Sequence, residues 1–257
     1  MSLVAWPPNE GVQWLRRARP VLGTLVDIGV PVGAEAALQA AFEVMQQVQQ
    51  RMSVFEPDSD LSRSMAAEPG QAVAVHPWTA EVLQFAQTLH VQSAGLFDVA
   101  LGSGTWQLDV QEDGVFLVRL CTATRIDLGG LAKGWAVDRA VEAALAHGAS
   151  AVWVNAGGDL RVHGLTLPIV LRDELSGGVR PWAELQDGAL ATSDFRSGAR
   201  SRLSGQGETL YLSVLASRCT WADALTKVLA QCPTLDQGLA HDLLRHYQAQ
   251  AWIHDPT

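Results

Sequence analysis

The chain has 257 residues, 48% of them hydrophobic and 18% charged, with 18 Lys and Arg against 27 Asp and Glu and a formal charge of −9. A folded chain of this length buries roughly three quarters of its unfolded surface, and the apolar content is ordinary for one, which excludes intrinsic disorder and a disulfide miniprotein. The acidic balance excludes a generic phosphate-backbone binder, since nucleic-acid affinity rests on clustered Lys and Arg.

Residues 1–19 carry Pro7, Pro8, Asn9 and Glu10 where a signal peptide needs an apolar core of about 7 to 15 residues. They read as an N-terminal extension ahead of a single domain, residues 20–257. No window approaches the uninterrupted apolar run of about 18 to 20 residues that spans a bilayer, so no transmembrane segment is expected. As written the chain reads as cytoplasmic, and as periplasmic if a leader has been removed.

Val21 to Val30 is apolar and β-branched with Gly interruptions, and reads as a strand. From Ala34 to Met52, Leu38, Phe42, Met45, Val48 and Met52 recur at helical steps. Ser53 to Ala67 holds Pro57 among Asp and Ser and reads as a loop. A second helix is expected over 77–92, with Pro77 in its first turn. Residues 104–127 read as short strands broken at Glu112-Asp113-Gly114, a hairpin signal. Arg125 to Trp135 reads as strand, Gly turn and helix start, with the helix running to His147 and stopped by Gly148. Ala151 to Gly164 reads as two short strands joined through Gly157-Gly158. Strands at 166–172, 189–193 and 209–216 and helices at about 222–231 and 236–248 complete an α+β domain without repeats.

The common cofactor motifs fail. Gly102-Ser-Gly-Thr-Trp-Gln107 places Gln107 where the dinucleotide fingerprint needs its third Gly, and Ala132-Lys133-Gly134 lacks the Gly-Lys-Ser/Thr of a P-loop. Among the histidines, His241 and His246 stand five apart, off a common helical face. Cys121, Cys219 and Cys232 fit neither a disulfide framework nor a C-x-x-C site and read as reduced thiols.

What remains is a Gly-rich turn feeding a helix with a lysine in its first turn: Asp127, Gly129, Gly130 and Lys133. Glycines admit close backbone approach, helix-start N–H groups favour anions, and an early Lys adds a point charge, a combination that suits a pyrophosphate. The alternative is a strand-to-helix turn with a surface lysine. Asn155-Ala-Gly-Gly-Asp159 is either a second backbone segment for the same ligand or a tight hairpin. Asp223 and Lys227 are either part of that site or an ordinary i, i+4 pair.

Read in order, several segments resemble the ApbE family of FAD:protein FMN transferases. They are Leu22-Gly-Thr24, Met52-Ser-Val-Phe55 with Ser59-Asp-Leu61, Gly95-Leu-Phe-Asp98, the long block Ile126 to Asp138, Val154 to Asp159, Ala191-Thr-Ser193, and Ala222-Asp-Ala-Leu225. The resemblance implies an ApbE-like α/β roll with antiparallel sheets and flanking helices. It also implies FAD as substrate, Mg²⁺ at the pyrophosphate, and FMN transfer to a Ser or Thr of a partner, an acceptor flavoprotein of a redox system, with release of AMP. The implied cofactor-binding residues are Leu22, Phe55, Phe97, Asp98, Asp127, Gly129, Gly130, Lys133, Asp138, Gly157, Gly158, Asp159, Thr192 and Lys227. Asp223 and the carbonyl of Ala132 are the implied metal ligands.

The sequence departs from the family at four places. Gly198 to Gly207 lacks the family's His-Ile-Ile-Asp-Pro-like segment, whose His is a candidate base. Lys227 stands where the family's Asp-Ala-x-x-Thr has its Thr, with Thr226 rotated about 100° from that face. Thr-Ser-Gly becomes Thr192-Ser-Asp194, and Ala100 replaces the Thr that follows Phe-Asp. These departures leave the catalytic residues unassigned and supply an alternative, an FAD-binding or accessory protein that has lost the transfer step.

Overall fold

The computed structural model describes residues 2–4, 12–172, 178–195 and 211–254. Its elements are β1 (Ser2–Val4), β2 (Trp14–Val21), β3 (Thr24–Pro31), α1 (Glu35–Met52), α2 (Asp60–Ala66), β4 (Ala72–Ala74), α3 (Pro77–Gln92), β5 (Trp106–Gln111), β6 (Gly114–Arg119), α4 (Ala132–Ala146), β7 (Val152–Ala156), β8 (Asp159–Arg172), β9 (Val179–Asp194), β10 (Tyr211–Ala216), α5 (Cys219–Leu229), α6 (Gly238–His246) and β11 (Gln250–His254). Among the described residues the main sheet runs β11-β10-β9-β8-β7-β3-β2, with β1 on the far end of β8, and all its pairings are antiparallel. A smaller sheet, β4-β6-β5, is also antiparallel. This is the α+β arrangement of antiparallel sheets with flanking helices that the sequence implies.

Period-2 alternation assigns the two faces of the main sheet. Val152, Val154 and Ala156 of β7 join the core under α1, α4 and α5, whereas Trp153 faces the other way with Leu160, Val162 and Leu167. Trp153 has room because residue 29 is glycine: a Cβ there would stand 2.0 Å from its ring. On the helical face α4 and α5 cross at Gly134, where a Cβ would meet the Cys219 carbonyl oxygen at 2.4 Å and Asp223 Cβ at 2.8 Å. That close approach brings the first turns of both helices to one place.

The strand expected over 21–30 is instead the end of β2, a turn and β3. Leu22 and Gly23 both take positive φ, 54° and 68°, as a two-residue hairpin requires. Residues 14–19, read as part of an extension, form most of β2, an edge strand whose Arg16, Arg17 and Arg19 keep it polar. The loop expected over 53–67 contains α2. Ser59 caps its start by accepting from Ser62 N at 3.0 Å, and buried Arg119 of β6 donates to the carbonyls of Ser64, Met65 and Ala67 at its end. Strands 166–172 and 189–193 are the far parts of β8 and β9, and helix α5 begins at Cys219 rather than 222. Among the described residues no helix is long and apolar enough to cross a membrane.

Candidate functional site

The turns that the sequence singles out converge on one cavity of about 580 Å³, within the range of small-molecule and cofactor pockets. Its wall is built from the β2–β3 turn (Leu22, Gly23, Thr24), Phe55, the 96–101 loop, the turn into α4 (Asp127, Gly129, Gly130, Lys133), the β7–β8 turn (Ala156, Gly157, Asp159), Thr192 and Ser193 of β9, and Lys227 and Gln231.

Several of these residues shape the wall with their own polar groups. Asp127 accepts from Gly129 N at 2.7 Å, closing the turn on itself. Asp98 accepts from Ala100 N and Gly102 N, both at 2.8 Å, and so holds the 96–101 loop. Gly157 takes φ of 68°, and a Cβ on it would stand 2.3 Å from Thr24 Oγ1. Glycine there lets the β7–β8 turn lie against the β2–β3 turn. Leu22 N donates to Gln49 Oε1 at 2.7 Å, anchoring the second turn to α1. Phe97 is buried under the cavity while Phe55 is 92% exposed at its rim.

At and beneath the floor lies a cluster of two ammoniums and two carboxylates, of which Lys133, Asp159 and Lys227 reach the lining and Asp223 lies behind them. Lys133 Nζ lies 2.5 Å from Asp159 Oδ2 and 3.6 Å from Asp223 Oδ2. Lys227 Nζ lies 2.5 Å from Asp223 Oδ1 and 2.9 Å from both Ser193 Oγ and Thr226 Oγ1. Asp223 Oδ2 also accepts from Gly134 N at 3.1 Å. Burial pulls Lys133 toward the neutral amine, but the Asp159 and Asp223 carboxylates outweigh it and hold its pKa above the usual lysine value. Burial and the neighbouring Asp223 charge raise Asp159, against the pull of Lys133 and Lys227. For Asp223 burial acts upward too, yet the two ammoniums prevail and hold it below the ordinary carboxylate value. The four charges sum to zero, and at the start of α4 Ala132 N already donates to the Leu128 carbonyl at 2.8 Å and Gly134 N to Asp223, so the surplus attraction for a phosphate rests on Gly130 N and Lys133 N at that turn.

Of the cofactor-binding residues implied by the sequence, twelve line this cavity: Leu22, Phe55, Phe97, Asp98, Asp127, Gly129, Gly130, Lys133, Gly157, Asp159, Thr192 and Lys227. Asp138 and Gly158 do not. Asp138 points to the far side of α4, fully buried, where it accepts from Cys219 N and Thr220 N at 2.9 Å and pairs with Arg161 at 2.8 Å. Its carboxylate caps α5 and neutralises an arginine, which consumes it structurally. Gly158 turns its N–H to Asn155 Oδ1 at 3.0 Å, closing the hairpin. Thr226, expected to be rotated away from the charged group, touches it: its hydroxyl donates to the Asp223 carbonyl at 2.7 Å and accepts from Lys227.

The implied metal ligands, Asp223 and Ala132, do not fit Mg²⁺. Both carboxylate oxygens of Asp223 are already accepting, one from an ammonium, and Asp159 is committed to Lys133. Neither Asp223 nor Ala132 lines the cavity. Among the described residues no group of three or more His, Cys, Asp or Glu is placed to hold a metal ion. The stretch 198–207 lies outside the described residues.

Sequence reasoning missed Ser193 and Gln231. Gln231 Nε2 donates to the Lys227 carbonyl at 2.7 Å and to the Leu96 carbonyl at 3.0 Å, tying the loop to α5. Its position was readable, because the helix expected over about 222–231 puts residues 223, 227 and 231 on one face, although α5 itself ends at Leu229.

The ApbE family model matches residues 22–246. An FAD:protein FMN transferase of Rhodobacter capsulatus is 32% identical over 214 residues, a match covering 67% of this chain and 40% of the relative, so the chain spans well under half of that protein's length. The flavin transferase ApbE of Vibrio cholerae superposes with a TM-score of 0.76 at 18% identity, covering 94% of this chain and 93% of that one. The ApbE protein of Thermotoga maritima gives a TM-score of 0.74 at 20% identity, covering 94% of each chain.

Proposed function

Because the chain belongs to the ApbE family, we propose that it binds FAD in the cavity between the Gly129–Gly130 and Gly157 turns and transfers FMN from it to a Ser or Thr hydroxyl of an acceptor protein. The observation that carries this reading is the convergence of two glycine turns and two lysines on one cavity. The α4 N-terminus and Lys133 suit the pyrophosphate, and the apolar rim of Leu22 and Phe55 suits the flavin ring. In the transfer the acceptor oxygen bonds to the FMN-side phosphorus, the bridging oxygen leaves with AMP, and the hydroxyl proton is released. Lys133, fixed by Asp159, is placed to stabilise charge on the phosphates as that oxygen leaves.

A second reading, FAD binding without transfer, is favoured by Lys227, whose ammonium already satisfies the Asp223 carboxylate. One experiment separates the two. Purified protein is incubated with FAD and a Ser/Thr acceptor, and AMP release is measured beside flavin fluorescence on a denaturing gel. AMP with a fluorescent acceptor band supports transfer; saturable FAD binding with neither product supports the second reading; no FAD binding rejects both.

A further inference from the structure

The disagreement between the floor of the cavity and a metal site has its own chemistry. An ammonium has three hydrogens, and Lys227 directs them at three oxygens: Asp223 Oδ1 at 2.5 Å, Ser193 Oγ at 2.9 Å and Thr226 Oγ1 at 2.9 Å. One carboxylate and two hydroxyls form the kind of oxygen cage a hard cation takes, and here the cage closes on nitrogen. The two hydroxyls are 2.8 Å apart, and the Thr226 hydroxyl is oriented by its own bond to the Asp223 carbonyl at 2.7 Å. Glycine at 130 gives the lysine stem its room beside the turn, since a Cβ there would stand only 3.3 Å from Lys227 Cγ. Only 15% of the Lys227 side chain is exposed, and it forms part of the cavity lining.

We propose that the Lys227 ammonium is a built-in cation of this site, filling the cage of Asp223, Ser193 and Thr226 so that no divalent metal enters and FAD binds without one. The ligand named here rests on the FAD reading, whereas the exclusion of metal rests on the cage alone. A divalent ion in place of the ammonium would leave the cluster one unit more positive. Affinity for the pyrophosphate therefore depends on the Lys133 ammonium and on Gly130 N and Lys133 N at the turn into α4, none of which a chelator removes.

The test uses the full chain, stripped of metal, with Mn²⁺ as an electron paramagnetic resonance probe and FAD titrated in parallel with and without EDTA. The unsubstituted protein is expected to bind no Mn²⁺ at a stoichiometric site and to keep its FAD affinity within about twofold on addition of EDTA. Lys227→Thr is expected to bind one Mn²⁺ per chain, displaced by Mg²⁺ and lost when Asp223→Asn is added. Its FAD affinity should then fall about tenfold or more in EDTA. A stoichiometric Mn²⁺ site in the unsubstituted protein, or loss of its FAD affinity in EDTA, overturns the proposal. Absence of both FAD and Mn²⁺ binding rejects the FAD reading and leaves metal exclusion standing. If Lys227→Thr does not fold, the measurements on the unsubstituted chain decide the matter.

Discussion

Lys227 Nζ sits 2.5 Å from Asp223 Oδ1, one helical turn apart on α5, with the carboxylate fully buried and the ammonium at the floor of the cavity. The pair joins the two halves of the site. Asp223 reaches across to the backbone of α4 at Gly134, and Lys227 reaches to β9 at Ser193.

Lys133 is the partner of Asp159 and lies near Asp223. Lys133→Met would leave two buried carboxylates sharing one ammonium, a loss of about 3 kcal/mol by analogy with broken buried pairs. Denaturant unfolding should show that loss, and FAD titration should show a large drop in affinity. Unchanged stability together with unchanged affinity would contradict the assignment.

Gly134 is where α4 and α5 touch. Gly134→Ala drives a methyl group into the Cys219 carbonyl and Asp223 Cβ, so a destabilisation of about 1 to 3 kcal/mol is expected from overpacking. Because Asp223 must shift, FAD affinity should fall as well. A variant as stable and as tight as the parent would mean that the crossing is looser than described.

Asp138 separates fold from function. Asp138→Ala removes the cap of α5 and leaves Arg161 with only the more distant Glu142 carboxylate at 3.9 Å, and should cost about 3 kcal/mol of stability. Since its carboxylate does not reach the cavity, the folded fraction should bind FAD with the parent's affinity. A selective loss of FAD binding at full stability would restore the sequence-based assignment of Asp138 to the cofactor.

His254 closes a buried hydrogen-bonded chain: its Nε2 meets Ser213 Oγ at 2.9 Å, and that hydroxyl meets Thr192 Oγ1 at 2.8 Å. Burial and the Arg180 guanidinium hold the imidazole below its ordinary pKa of 6.5. The unfolded chain therefore binds a proton first as pH falls, so this residue's contribution to stability is present above about pH 6.5 and is lost below it. Unfolding midpoints measured at about pH 7.5 and pH 5.5 should diverge less in His254→Gln than in the parent. An equal pH dependence in both proteins would remove the effect from His254.

Strongly periodic elements were legible in the sequence. The helix read over 77–92 is α3, the one read over 34–52 is α1 but for its first residue, and the Asp113-Gly114 signal is the β5–β6 turn. Elements held by distant partners were not. α2 is seven residues long and owes its end to Arg119, more than fifty positions away in sequence, while β2 is an arginine-rich edge strand without a continuous apolar run. The site divides in the same way. Glycine turns and an early lysine announce themselves by type and spacing, which is why Gly129, Gly130, Lys133 and Gly157 fall on the cavity. Asp138 carries the same charge as Asp159 within a matching motif, and only the direction each side chain takes, one into α5 and one toward Lys133, separates them.

The central claim is that this cavity binds FAD with lysines in place of a metal. Its most direct test is FAD fluorescence quenching titrated against the metal-stripped protein in EDTA. Saturable binding of one FAD per chain is expected, unchanged by Mg²⁺ and weakened in Lys133→Met. Binding that appears only when Mg²⁺ is restored would contradict it.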